Sequence, residues 1–273
     1  MEEYSQVLYL LSLCFSIFSL ICIFIVFVVI FFTKFSREDS YKVLAFSLLA
    51  DGILLTGFLL DARNGSLCQI QGLLTSWGSL ATLAWAGILM NTQYTIILYD
   101  FISPLKYYSI IGFFLPGLVA GLEYSLGFYE KSSIYCGMST KSTELAVVIF
   151  VNFCPLVFAA FFCICLSIKI EYFLKEFDCG YRPEEFTEKL KTFSQFKKYS
   201  WLLIITNAGF GVYTSFYWVN QRRNVVIDII GLLTSTLSGY LISLVFLFSI
   251  FGSKRKGSKV SELVPSSVSV QSS

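Results

Sequence analysis

Asp51 stands midway along an apolar run, Leu48-Leu49-Ala50-Asp51-Gly52, where an ionisable side chain is costly and marks a functional position by default. A carboxyl in such a place binds a cation, changes protonation, or takes a hydrogen bond from another polar group such as Asn91, Asn207 or Ser235. A second set, Gln71, Thr75, Gly78, Thr82, Trp85 and Leu89, follows steps of four and three. That spacing puts the set on one helical face, and a face this polar should look inward, away from lipid. Asn91, Asn207 and Trp85 are therefore expected to join Asp51 in a polar core. Glu123 and Asp228, near the ends of apolar runs, offer negative charge to a cavity.

Other chemistries are excluded by residue type. The chain has no histidine, so no mechanism can use an imidazole base or ligand, and no metal centre is expected. An intramembrane aspartyl protease needs two embedded aspartates, and Tyr99-Asp100 supplies only one half, at a helix end. No lysine stands in the last apolar run to form a retinal Schiff base. The chain reads as a non-enzyme without a cofactor and without a nucleic-acid partner.

The elements that must position these residues follow from composition. Of the 273 residues 56% are hydrophobic and 14% charged, which a water-soluble fold of this size rarely carries. A helix crosses the bilayer in about 20 apolar residues. Seven runs qualify: Val7 to Phe32, Lys42 to Leu60, Leu67 to Leu98, Tyr108 to Phe128, Thr143 to Ile168, Tyr199 to Val219 and Val225 to Phe251. They are continuous rather than alternating, so a β-barrel is excluded and the expected fold is all-α, a bundle of seven membrane helices over residues 1–252. The first run is too long for a secretory signal and follows Glu2 and Glu3 rather than a basic region. It is expected to remain as a helix.

Fifteen of the twenty Lys and Arg fall in loops on one side, against Arg63, Lys131, Lys141, Arg222 and Arg223 on the other. The basic side faces the cytoplasm, which places the amino terminus outside and the carboxyl terminus inside. The outer segments are short, so a ligand must be small enough to enter the bundle or must touch only loops. Asn64, in the sequon Asn64-Gly65-Ser66, falls outside and is a glycosylation candidate. Cys68 and Cys136 are the two cysteines on the oxidising side, and a disulfide between them would staple the second outer loop over the bundle.

On the inner side, Pro183 to Lys198 reads as an amphipathic helix opened by proline and running into the sixth span. Residues 253–273 read as a disordered serine-rich tail whose Lys254-Arg255-Lys256 attracts anionic lipid and whose serines can be phosphorylated.

Cys68-Gln69-Ile70-Gln71-Gly72 opening the third span, with Trp77 and then Leu83-Ala84-Trp85, resembles the third helix of the cyclic-AMP-receptor-like G-protein-coupled receptors of slime moulds, plants and protists, distant kin of the secretin-like receptors. The motif covers about twenty residues, and the span layout and outer cysteines extend it loosely over most of the chain. The sequence departs from that pattern at Gly137, in the proline-free stretch Trp201 to Trp218, and at Gly231-Leu232-Leu233-Thr234-Ser235.

The resemblance implies a plasma-membrane receptor that passes the binding of a small extracellular ligand to a cytoplasmic heterotrimeric G protein. On that reading the ligand meets Gln71, Thr75, Trp77, Tyr213 and Asp228, while Lys106, Lys197 and Lys198 contact the G protein. The competing expectation, a small-solute transporter or channel, draws on Asp51, Asn91, Asn152 and Asn207 within spans. It calls for an internal repeat with paired broken helices, and the sequence shows neither.

Overall fold

The computed structural model describes residues 2–33, 39–60, 65–99, 104–131, 136–138, 153–176, 183–220 and 225–261. Eight helices carry it: α1 (Glu2–Phe32), α2 (Asp39–Leu59), α3 (Gly65–Tyr99), α4 (Leu105–Ser125), α5 (Cys154–Glu176), α6 (Pro183–Asn220), α7 (Val225–Thr236) and α8 (Ser238–Ser261). Among the described residues, α1 to α5 are each long and apolar enough to cross a membrane, and α7 with α8 forms one further span bent by 45°. α6 packs on α3, α5 and α7. Its first half is the charged stretch expected to be amphipathic, and it continues without interruption into the apolar half. The expected fifth span falls partly on 143–152, outside the described residues, as do Asn64 and 262–273. Helix α8 runs on to Ser261, past the end of the apolar run at Phe251.

The centre is α3, which packs on α2, α4, α5 and α6, with α1 and α7–α8 closing the side beyond α2. Small residues allow that closeness. A Cβ on Gly78 would collide with the backbone of Leu54, and one on Gly57 would lie 2.7 Å from the Thr75 methyl. Close backbone approach of this kind drives association where lipid removes the hydrophobic effect between helices. Outward-facing side chains such as Phe24, Phe114 and Phe158 are exposed, as a lipid-facing shell requires.

Two helices carry defects with identifiable causes. Pro116 has no N–H to give the preceding turn, and Ile110–Phe114 takes a π-helical register. In the same turn the Phe113 carbonyl accepts the indole N–H of Trp77 at 3.0 Å, a bond that ties α3 to α4. The seventh span bends at Leu237, after the hydroxyl-rich run Thr234-Ser235-Thr236. Those three side chains donate to the carbonyls of Ile230, Gly231 and Leu232 at 2.9, 2.8 and 2.7 Å, and such back-bonding bends helices. Ser19 of α1 donates to the Thr236 carbonyl at 2.6 Å and satisfies it at the bend.

Candidate functional site

Three layers of polar residues run through the bundle. At one end, Tyr129–Lys131 (β1) and Cys136–Met138 (β2) form an antiparallel pair held to α3 at several points. Cys68 and Cys136 form the expected disulfide, with Cα atoms 5.2 Å apart. Gln71 accepts the Cys136 N–H at 2.8 Å and donates to the Leu60 carbonyl at 2.8 Å. Tyr129 lies against Gly72 and donates its hydroxyl to Glu123, which also accepts from Ser76 at 2.7 Å. Burial and the neighbouring Glu123 charge push the Tyr129 hydroxyl well above its ordinary pKa. Glu123 is thus a buried anchor for the loop rather than a solvated charge at a span end.

The expected ligand wall is only partly assembled. Gln71 and Thr75 lie together, buried against α2 and the loop, and Thr75 donates back to the Gln71 carbonyl at 2.9 Å. Trp77 points elsewhere, onto Phe113 and Gly117 of α4. At about 3.6 residues per turn, six residues leave it roughly 120° around α3 from Gln71, on a different face. The side chains of Tyr213 and Asp228 lie outside the described residues.

At membrane depth, Asp51 is fully buried and accepts the Ser238 hydroxyl at 2.7 Å. Its second oxygen has no hydrogen-bond partner among the described residues, and a Cβ on Gly239 would lie 3.0 Å from it. The expected partners Asn91, Asn207 and Ser235 bond elsewhere. Asn207 of α6 accepts from Ser79 of α3 at 2.8 Å, Asn91 donates to the Tyr108 hydroxyl at 3.5 Å, and Ser235 bonds its own helix. The bend at Leu237 is what brings the first turn of α8, rather than α7, against Asp51.

Trp85 is also a correction. It is fully buried but apolar in its company, stacked on Phe46 at 5.5 Å, packed on Phe113 at 5.2 Å and covered by Gly112. The inward face read from the sequence is buried throughout, yet it packs on α2 and α4 rather than lining a cavity. Ser79, Ser238, Ser19 and Tyr129 were missed. Ser79 carried a signal, since it sits four residues after Thr75 and three before Thr82; Ser238 had only the dense hydroxyl run before it.

At the opposite end from the disulfide, Lys197 of α6 pairs with Glu171 of α5 beside a cleft of about 400 Å³ walled by Leu174, Leu190 and Phe193. Lys198 is exposed, and Lys106 at the start of α4 is exposed with its ammonium 5.1 Å from the Tyr107 ring.

This geometry superimposes on the crystal structure of squid rhodopsin with a TM-score of 0.66, over 98% of this chain and 89% of that one, at 12% sequence identity. The chain has a rhodopsin-like fold. A stretch of 87 residues, 31% of the chain, is 32% identical to Adhesion G-protein coupled receptor G1 of Danio rerio, and it spans 13% of that protein's length. No protein-family model matches the chain. Within this fold, the disulfide loop lies at one end, the Asp51–Ser238 bond in the middle, and the α5–α6 cleft at the other end.

Proposed function

We propose that this chain is a G-protein-coupled receptor of the plasma membrane that relays binding of a small extracellular ligand to a cytoplasmic heterotrimeric G protein. The third-helix pattern from Cys68 to Trp85, which resembles that of the cyclic-AMP-receptor-like group, supports this reading. The disulfide end faces outward, because a disulfide persists in an oxidising compartment, and the lysine-rich end faces the cytoplasm.

The observation that carries this reading is the α5–α6 cleft at the cytoplasmic end of a receptor fold, closed by the Lys197–Glu171 pair. An exposed pair of this type contributes about 1 kcal/mol or less, so the separation of α5 from α6 is easily biased. A ligand under the stapled loop acts through Gln71, which joins the loop to α2 and α3, and, as expected from the sequence, through Tyr213 and Asp228. Its greater affinity for one arrangement of the helices shifts their inner ends and presents Lys106, Lys197 and Lys198 to the G protein.

Nucleotide exchange on purified G proteins, with the full chain in nanodiscs, tests the reading. Exchange should rise with the chain and fall when Lys197 and Lys198 are both changed to Glu. Exchange that never depends on the chain, with solute flux in liposomes that depends on Asp51, would establish the transporter reading instead. The bend beside Asp51 favours that alternative only weakly, since transporters break helices in pairs related by a repeat.

A further inference from the structure

Between Ser109 and Leu115, α4 holds one residue more than an ordinary helical turn. The Leu115 N–H reaches back five residues to the Ile110 carbonyl, and single turns of this kind are rare and gather at functional positions. Two tryptophans of α3 grip the turn. Trp77 gives its indole N–H to the Phe113 carbonyl at 3.0 Å. The Trp85 indole fills the space that a Cβ on Gly112 would need, and its N–H is buried with no acceptor among the described residues.

An indole can only donate, so Trp85 lacks a carbonyl, and Pro116 frees one. Without an N–H, Pro116 cannot fill the carbonyl behind it, which is that of Ile111 at a spacing of five and that of Gly112 at the ordinary spacing of four. At four, the proline ring also pushes the Gly112 carbonyl out of the helix ladder. The ordinary register therefore frees a carbonyl on the residue that already lies against the unpaired indole.

The two registers differ by one residue in the segment before the turn. A change from five to four turns Leu105 to Ser109 by about 100° and moves them about 1.5 Å along the axis. Tyr108 is buried and meets Asn91 at 3.5 Å. After the change Ser109 stands in its place, so Asn91 keeps a hydroxyl partner. Tyr108 takes the exposed place of Tyr107, and Lys106 takes the half-buried place of Leu105 against the bundle.

We propose that α4 is a two-register switch. In the π state Trp77 holds the Phe113 carbonyl and Tyr108 faces Asn91; in the α state Trp85 holds the Gly112 carbonyl and Ser109 faces Asn91. The exchange turns Lys106 between an exposed and a packed position at the lysine-rich end. Helix register shifts run in microseconds to milliseconds. The switch rests on the geometry of α3 and α4 alone. Only a consequence for G-protein contact, through Lys106, depends on the chain being a receptor.

The test follows the indole N–H signals of the full chain in nanodiscs, labelled with 15N-tryptophan and assigned by single Trp→Phe variants of its four tryptophans. Trp77 and Trp85 should show relaxation dispersion with one shared rate. Cysteine pairs report the registers directly. A short bis-methanethiosulfonate linker should join Asn91→Cys to Tyr108→Cys in the π state and to Ser109→Cys in the α state, and should not join it to Tyr107→Cys. Trp85→Phe keeps the ring and removes the N–H, and should lower the yield of the Ser109 pair relative to the Tyr108 pair about fivefold, the scale of one hydrogen bond. A Ser109 pair that joins no better than the Tyr107 pair, or whose yield ignores Trp85→Phe, would overturn the switch, as would indole signals of Trp77 and Trp85 without shared exchange. Should Trp85→Phe fail to assemble, the dispersion and the cysteine pairs in the otherwise unaltered chain decide it.

Discussion

Ser238 gives its hydroxyl to Asp51 across 187 positions of sequence, at 2.7 Å and with both residues fully buried. The bond ties α2 to the first turn of α8 immediately past the bend at Leu237. Replacing Ser238 with Ala strips the carboxyl of that donor and should destabilise the bundle by about 1 kcal/mol, the scale of a hydrogen bond inside a membrane protein. Thermal unfolding in detergent measures it. An unchanged Tm would mean that Asp51 is held by something other than Ser238.

Gly78 permits a close approach of α2 and α3. The backbone of Leu54 occupies the space an added Cβ would need, and backbone cannot rotate away as a side chain can. Gly78→Ala should cost about 3 kcal/mol through overpacking and reduce delivery to the cell surface. Gly121 has open space where its Cβ would go, so Gly121→Ala should be neutral in the same assay.

The disulfide closes a loop with a sequence separation of 68. Its removal by Cys68→Ser should cost about 4 kcal/mol in the chain-entropy description. The observable is loss of a reductant-sensitive shift in Tm. A variant as stable as wild type and indifferent to reductant would show that Gln71 and Tyr129 hold the loop by themselves.

Tyr129 and Glu123 lock the loop from the other side. Burial and the Glu123 charge raise the phenol pKa, so its stabilising contribution is fully present below the ordinary tyrosine value of about 10 and declines as pH rises through the elevated folded value. Tyr129→Phe should lower stability by about 1 to 3 kcal/mol at neutral pH, because Glu123 loses a donor while buried. The gap between variant and wild type should stay constant from neutral pH up to about pH 10. Thermal melts across that range check both statements.

Lys197 shares its charge with Glu171 in a partly exposed pair. Glu171→Gln, which breaks the pair and leaves the Lys197 charge in place, should leave Tm nearly unchanged, since such pairs contribute about 1 kcal/mol or less, while raising basal nucleotide exchange by loosening α5 from α6. A drop in Tm of many degrees would instead assign the residue a structural role.

The sequence by itself determined that the chain is a bundle of membrane helices. Runs of apolar residues long enough to cross a bilayer leave a backbone no alternative to satisfying its own hydrogen bonds, and that constraint is local. It also determined which residues had to be buried, through the three-four spacing of Gln71 to Leu89, and it offered the Cys68–Cys136 pair. Tertiary structure decided what each buried group meets. Trp77 and Gln71 sit six residues apart yet face different helices, and only the packing around α3 assigns α4 to one and the loop to the other. Asp51 found Ser238 instead of Asn91, Asn207 or Ser235 because a bend from back-bonded hydroxyls re-aimed α8. Periodicity reports the direction of a side chain around its own helix; the partner it reaches depends on neighbours far away in sequence, whose placement no local pattern encodes.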